Sequence, residues 1–574
     1  MTYMASLTEK IIHGIPYYYL RECKRVDGKP KIVWQHYIGN RAELVRRLQQ
    51  GATPEEVAER EFGASTACLK IAQELDLVGI IDRVVPKAKR SKPGPSVGEY
   101  ILIAAINRCV APRSKAKIGE WYDQTVLPRL LGVHSSQLTS QLYWDHMDRI
   151  DEQAVARIAS EVSEAAVNHF KLDLRSLLFD ATNFFTFVDS FNARPKLPQR
   201  GHSKEGRANL RILGLALLVT ADGEVPLLHH TYAGNQHDAT TFGEVVGDIA
   251  KNVSRMADGL SNVTLVFDKG NNSKENLAAA AEKSLHFVGS LVPTQHPELL
   301  AIPRTKMRRL DKAQLPAVWA HRLQQKVYGI ERTVLVVFNR PLYTSQVKTL
   351  NRETAKRRRK LKELHVALQK AAKRNDGKKK PTLEGTRKKV AAILSGRHMK
   401  DLFSAEVTAS GKGKDAKVRM RWRFKDKAYK DLKQTLLGKT ILFTDQSAWT
   451  DEQIVRAYRA QAHVEFAFRG MKNPRYLTFR PQFHWTDSKL RVHALICVIA
   501  LTIAMLMRRE LAHAGVPNLS LVRMLDRLER VREATLLYHD PKANSLRTHA
   551  VLSEQDETQS KMLATLELAQ FRAP

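Results

Sequence analysis

Three side chains in the segment AYRAQAHVEFAFRGMKN (457–473) stand seven residues apart: Tyr458, Glu465 and Lys472. Seven residues are nearly two turns of an α-helix, so such side chains drift only ~20° per step and form one stripe. A stripe of this spacing is usually apolar and faces a core; this one carries a phenol, a carboxylate and an ammonium. Two further carboxylates sit in apolar surroundings. Asp180 interrupts the run LLFDATNFF, and Asp268 ends the run TLVFD just before KGNN. Each alone has an ordinary explanation, because backbone N–H groups or an arginine can satisfy a carboxylate in an apolar strand. A solvated, salt-bridged helix face is likewise the ordinary account of a charged stripe. Taken together they allow a chemical one. Like charges are costly to bury side by side unless a cation lies between them, and hard oxygen ligands without His or Cys suit Mg²⁺ or Mn²⁺. Two such ions ~4 Å apart can activate a water or a 3′-hydroxyl and stabilise the leaving oxygen of an in-line phosphoryl displacement. That reaction needs charge neutralisation more than a covalent nucleophile. In this reading Asp180, Asp268 and Glu465 hold metal, while Tyr458 and Lys472 hold phosphate.

The elements that must position these residues can be read from periodicity and turn signals. Residues 15–38 contain two β-rich runs around VDGKP, which predicts a hairpin. Helical patterns follow in TACLKIAQELDLVGIIDRV, VGEYILIAAINRCV and DEQAVARIASEVSEAAVNHF. From 176 the texture changes to strand SLLFDATNFFTFV, then LRILGLALLVT and VPLLHHTYA joined by the turn ADGE. A helix ATTFGEVVGDIAKNV, a short buried strand NVTLVFD, a helix SKENLAAAAEKS and a strand HFVGSLV complete the order β-β-β-α-β-α-β. This is the element order of a ribonuclease-H-like fold. Residues 293–440 interrupt it with the strands RTVLVVFN, AEVTAS and KVRMRWRF and a basic helical stretch over about 350–394. Within 351–380, thirteen residues are Lys or Arg and three are acidic. After the strand GKTILFTD, Thr450 with Gln453 three residues on predicts a capped start for the helix that carries the stripe.

Composition bounds the partners. Lys and Arg exceed Asp and Glu by 34, and the hydrophobic content is 43%. The second figure is ample for packed cores; the first points to a polyanionic partner more economically than to solubility alone. The four cysteines, Cys23, Cys68, Cys109 and Cys497, lie far apart with neither CxxC nor paired His spacing, which predicts reduced, buried thiols rather than a disulfide framework or a zinc site. The apolar run ALICVIALTIAMLM (494–507) falls short of the ~20 residues of a membrane span and predicts a core helix. The N-terminus has no signal-peptide pattern.

The blocks FDATNFF, GHSKEGRANLRILGLALLVTADGEVPL, YAGNQHDATTF and TLVFDKGNNSKEN, together with the helix signature, resemble the DDE transposases of bacterial insertion sequences, in the superfamily named for insertion sequence four. That signature is Tyr, two residues, Arg, three residues, Glu, six residues, Lys. Here it reads Tyr458, Gln461, Glu465, Lys472, with Gln461 in place of Arg; Arg459 or Arg469 could supply the missing phosphate contact. The resemblance spans roughly 176–292 and 440–510. It implies Asp180, Asp268 and Glu465 as catalytic residues and metal ligands, with Asn235 and Asp238 supporting them. It further implies cut-and-paste transposition, with metal-dependent strand cleavage at transposon ends, often through a hairpin, and strand transfer. The implied partners are terminal inverted repeats and target DNA, bound by a homodimer, in a bacterial, nucleoid-associated setting in the cytoplasm and without a membrane. The implied cofactor is Mg²⁺ or Mn²⁺, two ions. A DNA-binding protein without catalysis, or a metal-dependent nuclease that does not join strands, would share most of these features. The expected organisation is an N-terminal hairpin and helix (1–60), a helical DNA-binding region (61–175), a ribonuclease-H-like α/β core (176–292), a basic insertion (293–440), and core completion with C-terminal helices (441–574).

Overall fold

The computed structural model describes residues 6–13, 15–26, 29–40, 42–43, 54, 56–86, 94–189, 191–207, 209–257, 259–373, 380–411, 417–480, 482–516, 519–540 and 545–573. The chain opens with strands β1 (Ser6–Ile12), β2 (Ile15–Val26), β3 (Lys29–Asn40) and β4 (Glu56–Glu61). Helices α1 (Gly63–Glu74), α2 (Leu77–Val84), α3 (Val97–Val110), α4 (Ser140–Asp148) and α5 (Glu152–Phe170) come next. Then follow β5 (Ser176–Phe185), β6 (Ile212–Thr220), β7 (Pro226–Ala233), α6 (Asp238–Met256), β8 (Thr264–Phe267), α7 (Lys274–Glu282) and β9 (His286–Leu291), in the predicted order. Strands β10 (Arg308–Arg309), β11 (Val318–Val327) and β12 (Ile330–Asn339) lead to α8 (Arg340–Ala372), α9 (Leu383–Ile393), β13 (Phe403–Ser410), β14 (Lys417–Phe424), α10 (Asp426–Thr435) and β15 (Lys439–Thr444). The chain ends with α11 (Asp451–Met471), α12 (Asp487–His513), α13 (Leu521–Glu529), β16 (Arg532–Asp540), β17 (Ser545–Leu552) and α14 (Glu557–Thr565). The architecture is mixed α/β, with strands of a large sheet in each of two compact units.

The first unit comprises residues 1–265, 282–285 and 460–574. Its strands β5, β6 and β7 form an antiparallel meander, with Asp180 opposite Leu217. All nine residues of β6 are buried, as expected of a Leu- and Val-rich strand covered on both faces. Gly214 is required there: a Cβ would lie 2.3 Å from the Tyr232 ring, whose hydroxyl donates to Thr182 O at 3.3 Å. Thr264 N–H donates to Arg175 O at 3.0 Å, which starts β8 beside the head of β5.

The core of this unit is α12, buried nearly all round and packed on α3, α1, α5, α4 and β7. It is longer than the apolar run that announced it, 27 residues, and by length and composition it could cross a membrane; 94% of its apolar window, however, is buried within the protein. An all-round apolar helix is what a large core demands. The C-terminal region is not wholly helical: β16 pairs with β17 and with β4, so residues 56–61 join a sheet with 532–552. REATLLYHD shows no clean alternation of apolar and polar residues, and its pairing with β4 and β17 is what makes it a strand. Cys68, Cys109 and Cys497 are buried free thiols, whereas Cys23 is exposed, contrary to the expectation for all four.

Lys115 lies in the same core, where burial, aided by the Arg108 charge, lowers its pKa from 10.5 to about 7. A buried ammonium disfavours the folded state while it is protonated. The penalty is therefore complete below about pH 7 and fades as pH rises toward the unfolded value. Lys115→Met is expected to raise the stability at pH 6 by on the order of a few kcal/mol, and by much less at pH 10. Equal gains at the two pH values in calorimetry would show that packing, not charge, was responsible.

The second unit comprises residues 266–281 and 286–459. Its strands pair in the order β9, β15, β12, β11, β10, all antiparallel. β11 was not expected, because VWAHRLQQKV carries polar residues at half of its positions, in no alternating order. It pairs along its whole length with the apolar β12, and this pairing is the stronger determinant. The basic helix α8 starts at the cap Asn339, which accepts from Leu342 N–H at 3.2 Å. It is not a freely solvated rod. Leu350, Leu361 and Leu368, at helical repeats, pack with Val390 of α9, Val407 of β13 and Val418 and Met420 of the β13–β14 hairpin. The cations occupy the remaining face, and Arg358 lies 3.9 Å over the Phe424 ring.

Candidate functional site

Helix α11 carries the stripe. The predicted cap is present: Gln453 N–H donates to Thr450 Oγ1 at 3.2 Å, and Thr450 N–H to Gln453 Oε1 at 2.8 Å. Residues to Arg459 belong to the second unit and those from Ala460 to the first. Lys472 lies one residue past the end of the helix, although its N–H still reaches Phe468 O at 3.1 Å. No ion pair joins Lys472 to Glu465 among the described residues, so the stripe is not a salt-bridged face.

In the first unit, Asp180 is half-buried in the middle of β5, among Leu177, Leu178 and Phe179 at 0% exposure. Its Oδ1 accepts from Ala181 N–H at 2.8 Å. Two ammonium groups are anchored along the same strand: Lys204 Nζ donates to Ala181 O at 2.6 Å, and Lys472 Nζ to Thr182 Oγ1 at 2.9 Å. Burial lowers the Lys472 pKa, the Lys204 and Arg480 charges add to this, and Glu205 and Asp180 oppose it. Arg480 donates to Lys472 O at 3.2 Å and pairs with Glu205 at 3.2 Å. Gln461 is buried and donates from Nε2 to Phe179 O at 3.2 Å, while its Oε1 has no partner. This position therefore faces the backbone of β5. Glu465 is exposed on α11 and makes no hydrogen bond or ion pair among the described residues. Arg469 is exposed, and so is Asn235 in the turn after β7. Asp238 is the first residue of α6; its side chain lies outside the described residues.

In the second unit, Asp268 follows β8 at the mouth of the turn Lys269–Asn271. Its Oδ1 accepts from Ser290 Oγ at 3.1 Å and Tyr458 OH at 3.3 Å, and Tyr458 OH also lies 2.9 Å from Ser290 Oγ. The phenol thus orients the carboxylate instead of pointing to solvent. Asn271 Oδ1 and Asn272 Oδ1 are buried without partners in the turn next to it. Arg459 is exposed beside Tyr458, and desolvation lowers its pKa. Ser290 and Lys204 escaped the sequence reading. The only signals were a lone serine in the apolar strand HFVGSLV and a lysine among many.

These groups suit a divalent ion in their donor chemistry, since the acids are all-oxygen ligands and Glu465 has no competing partner among the described residues. Among the described residues no three His, Cys, Asp or Glu side chains stand together as a ready cage.

A model of the transposase DDE domain matches residues 177–503, more than half of the chain. The chain belongs to the transposase DDE domain family. All three acids of this transposase lie within the match, and divalent metal ions are generally used in the family. A similar solved chain is that of a piggyBac transposase synaptic complex with hairpin DNA, 9% identical, with 83% of this chain and 82% of that one covered at a TM-score of 0.38. No curated protein matches the chain.

Proposed function

We propose that this transposase cleaves DNA at the ends of its element and joins them to target DNA, with Asp180, Asp268 and Glu465 binding Mg²⁺ or Mn²⁺. The observation that carries the reading is the family match across the segment that contains all three acids. The order β-β-β-α-β-α-β supports a ribonuclease-H-like core, and the spacing of Tyr458, Glu465 and Lys472 supports the insertion-sequence-four signature, with Gln461 as its departure. When bound, the ions supply the charge that activates the attacking oxygen and stabilises the leaving one. The chain's own groups do the rest. Tyr458 and Ser290 hold the Asp268 carboxylate in one orientation, as partners of a metal ligand do. Lys472, Lys204 and Arg459 place positive charge for phosphate, with Arg469 nearby on α11. Asn235, in the turn after β7, and Asp238, at the start of α6, support the ligands, residues 61–175 contribute to end binding, and two copies hold the paired ends. Incubating the protein with its element's end DNA and Mg²⁺ tests this. Nicked and joined products are expected; nicking without joining would make it a nuclease, and binding without nicking would remove catalysis.

The exposed face of α8 is assigned to phosphate contact. Deleting the helix would remove Leu361 and Leu368 from their cluster, so the informative change is Lys356, Lys360, Lys362 and Lys370 to Gln, all exposed positions. Each of them that meets a phosphate should flatten the dependence of log K on log salt by ~0.9 for duplex DNA. An unchanged slope in a folded variant would place this face against another surface.

A further inference from the structure

Beyond the acids, the first unit exposes aromatic rings where a soluble surface rarely leaves them. Phe187, two residues past the end of β5, is 50% exposed; Phe483 is 60% and Trp485 37% exposed. Phe187 and Phe483 stack at 5.8 Å with 26° between planes, and Phe185 meets Phe187 edge-on at 5.6 Å. Residues 482–485 alternate: Gln482 and His484 are buried, while Phe483 and Trp485 face out, as in any extended chain. The rings are held in place. Phe187 N–H donates to Gln482 O at 3.2 Å, and Lys196 and Leu197 N–H donate to the Asp487 carboxylate at 2.9 and 3.0 Å.

Guanidinium groups are interleaved with the rings. Arg194 lies 5.3 Å from the Trp485 centroid, and Arg207 and Arg480 lie 4.6 and 4.5 Å from that of Phe185. Residues 187–211 hold six Lys or Arg and two acids. An occupant must therefore offer flat apolar faces and negative charge together. A DNA duplex offers only the charge, because its base faces are hidden in the stack; an unpaired strand offers both. Phe187 is seven residues from Asp180, hence no more than ~25 Å away, on the order of seven base steps.

We propose that Phe187, Phe483 and Trp485, flanked by Arg194, form a shelf on which an unpaired segment of substrate DNA stacks, within about seven nucleotides of Asp180. This rests on the transposase reading above, and it adds that the DNA must be opened near the acids. The test uses the full chain in EDTA, so that binding is read without catalysis. The probes are a fluorescent oligo(dT) of about 12 nucleotides, within the span of such sites, and a duplex of the same length. The Phe483→Ala/Trp485→Ala variant is expected to lose about tenfold or more in single-strand affinity, with duplex affinity changed less than about twofold. Phe483→Tyr/Trp485→Phe should restore single-strand binding, because the faces return. Equal losses on both probes, or none, would overturn the shelf. So would a wild-type dimer that the Ala variant converts to monomer in sedimentation while oligo(dT) binding is kept, since the rings would then be a self-interface. If the wild type cleaves end DNA and the Ala variant binds oligo(dT) normally, only the shelf fails; if the wild type binds neither probe, the transposase reading fails with it.

Discussion

Replacing Asp180, Asp268 or Glu465 with Ala is expected to abolish strand cleavage while leaving DNA binding in EDTA within about threefold of wild type. Loss of a residue that merely orients a metal ligand costs ~10–100-fold, so loss of a ligand should exceed ~1000-fold. The three single losses should be similar, and the Asp180→Ala/Glu465→Ala double variant no worse than either, because ligands that act as a unit are not additive. Misfolding is not the expected cause. Asp180 is a half-buried carboxylate in an apolar strand, where a methyl group relieves desolvation, and Glu465 is exposed with no described partner. A melting curve for each variant checks this. Any variant that melts normally and keeps substantial metal-dependent cleavage removes its residue from the proposed set.

Chelation should likewise stop cleavage, with Mg²⁺ or Mn²⁺ restoring it and Ca²⁺ supporting DNA binding without turnover. The physical reason is the ligand set. Oxygen donors accept all three ions, but Mg²⁺ demands near-octahedral geometry at ~2.1 Å, whereas Ca²⁺ binds at ~2.3–2.6 Å with loose and variable coordination. The expected result is a complete loss of product in Ca²⁺ with a normal gel shift. Turnover sustained by Zn²⁺ after exhaustive removal of Mg²⁺ and Mn²⁺ would point to a site built from other residues, since Zn²⁺ prefers nitrogen and sulfur ligands.

Local pattern by itself determined the elements that carry the acids. Eight residues without a polar side chain specify β6, and an apolar run with one carboxylate specifies β5, because burial on both faces leaves little choice of residue. Thr450 and Gln453 specified the start of α11, because a capping box is satisfied within four residues. The spacing of Tyr458 and Glu465 was legible for the same reason: helical periodicity is local. Tertiary structure alone decided what depends on partners distant in sequence. It turned Tyr458 onto Asp268 and Ser290, buried Gln461 against Phe179 O, and set Lys472 on Thr182, none of which spacing along one helix can reveal. It made β11 and β16 strands through pairing with β12 and β4, overriding weak local preference. And it gave the basic helix α8 a buried leucine seam within a charge run, because burial depends on what packs against a face and the sequence of one helix does not contain its neighbour.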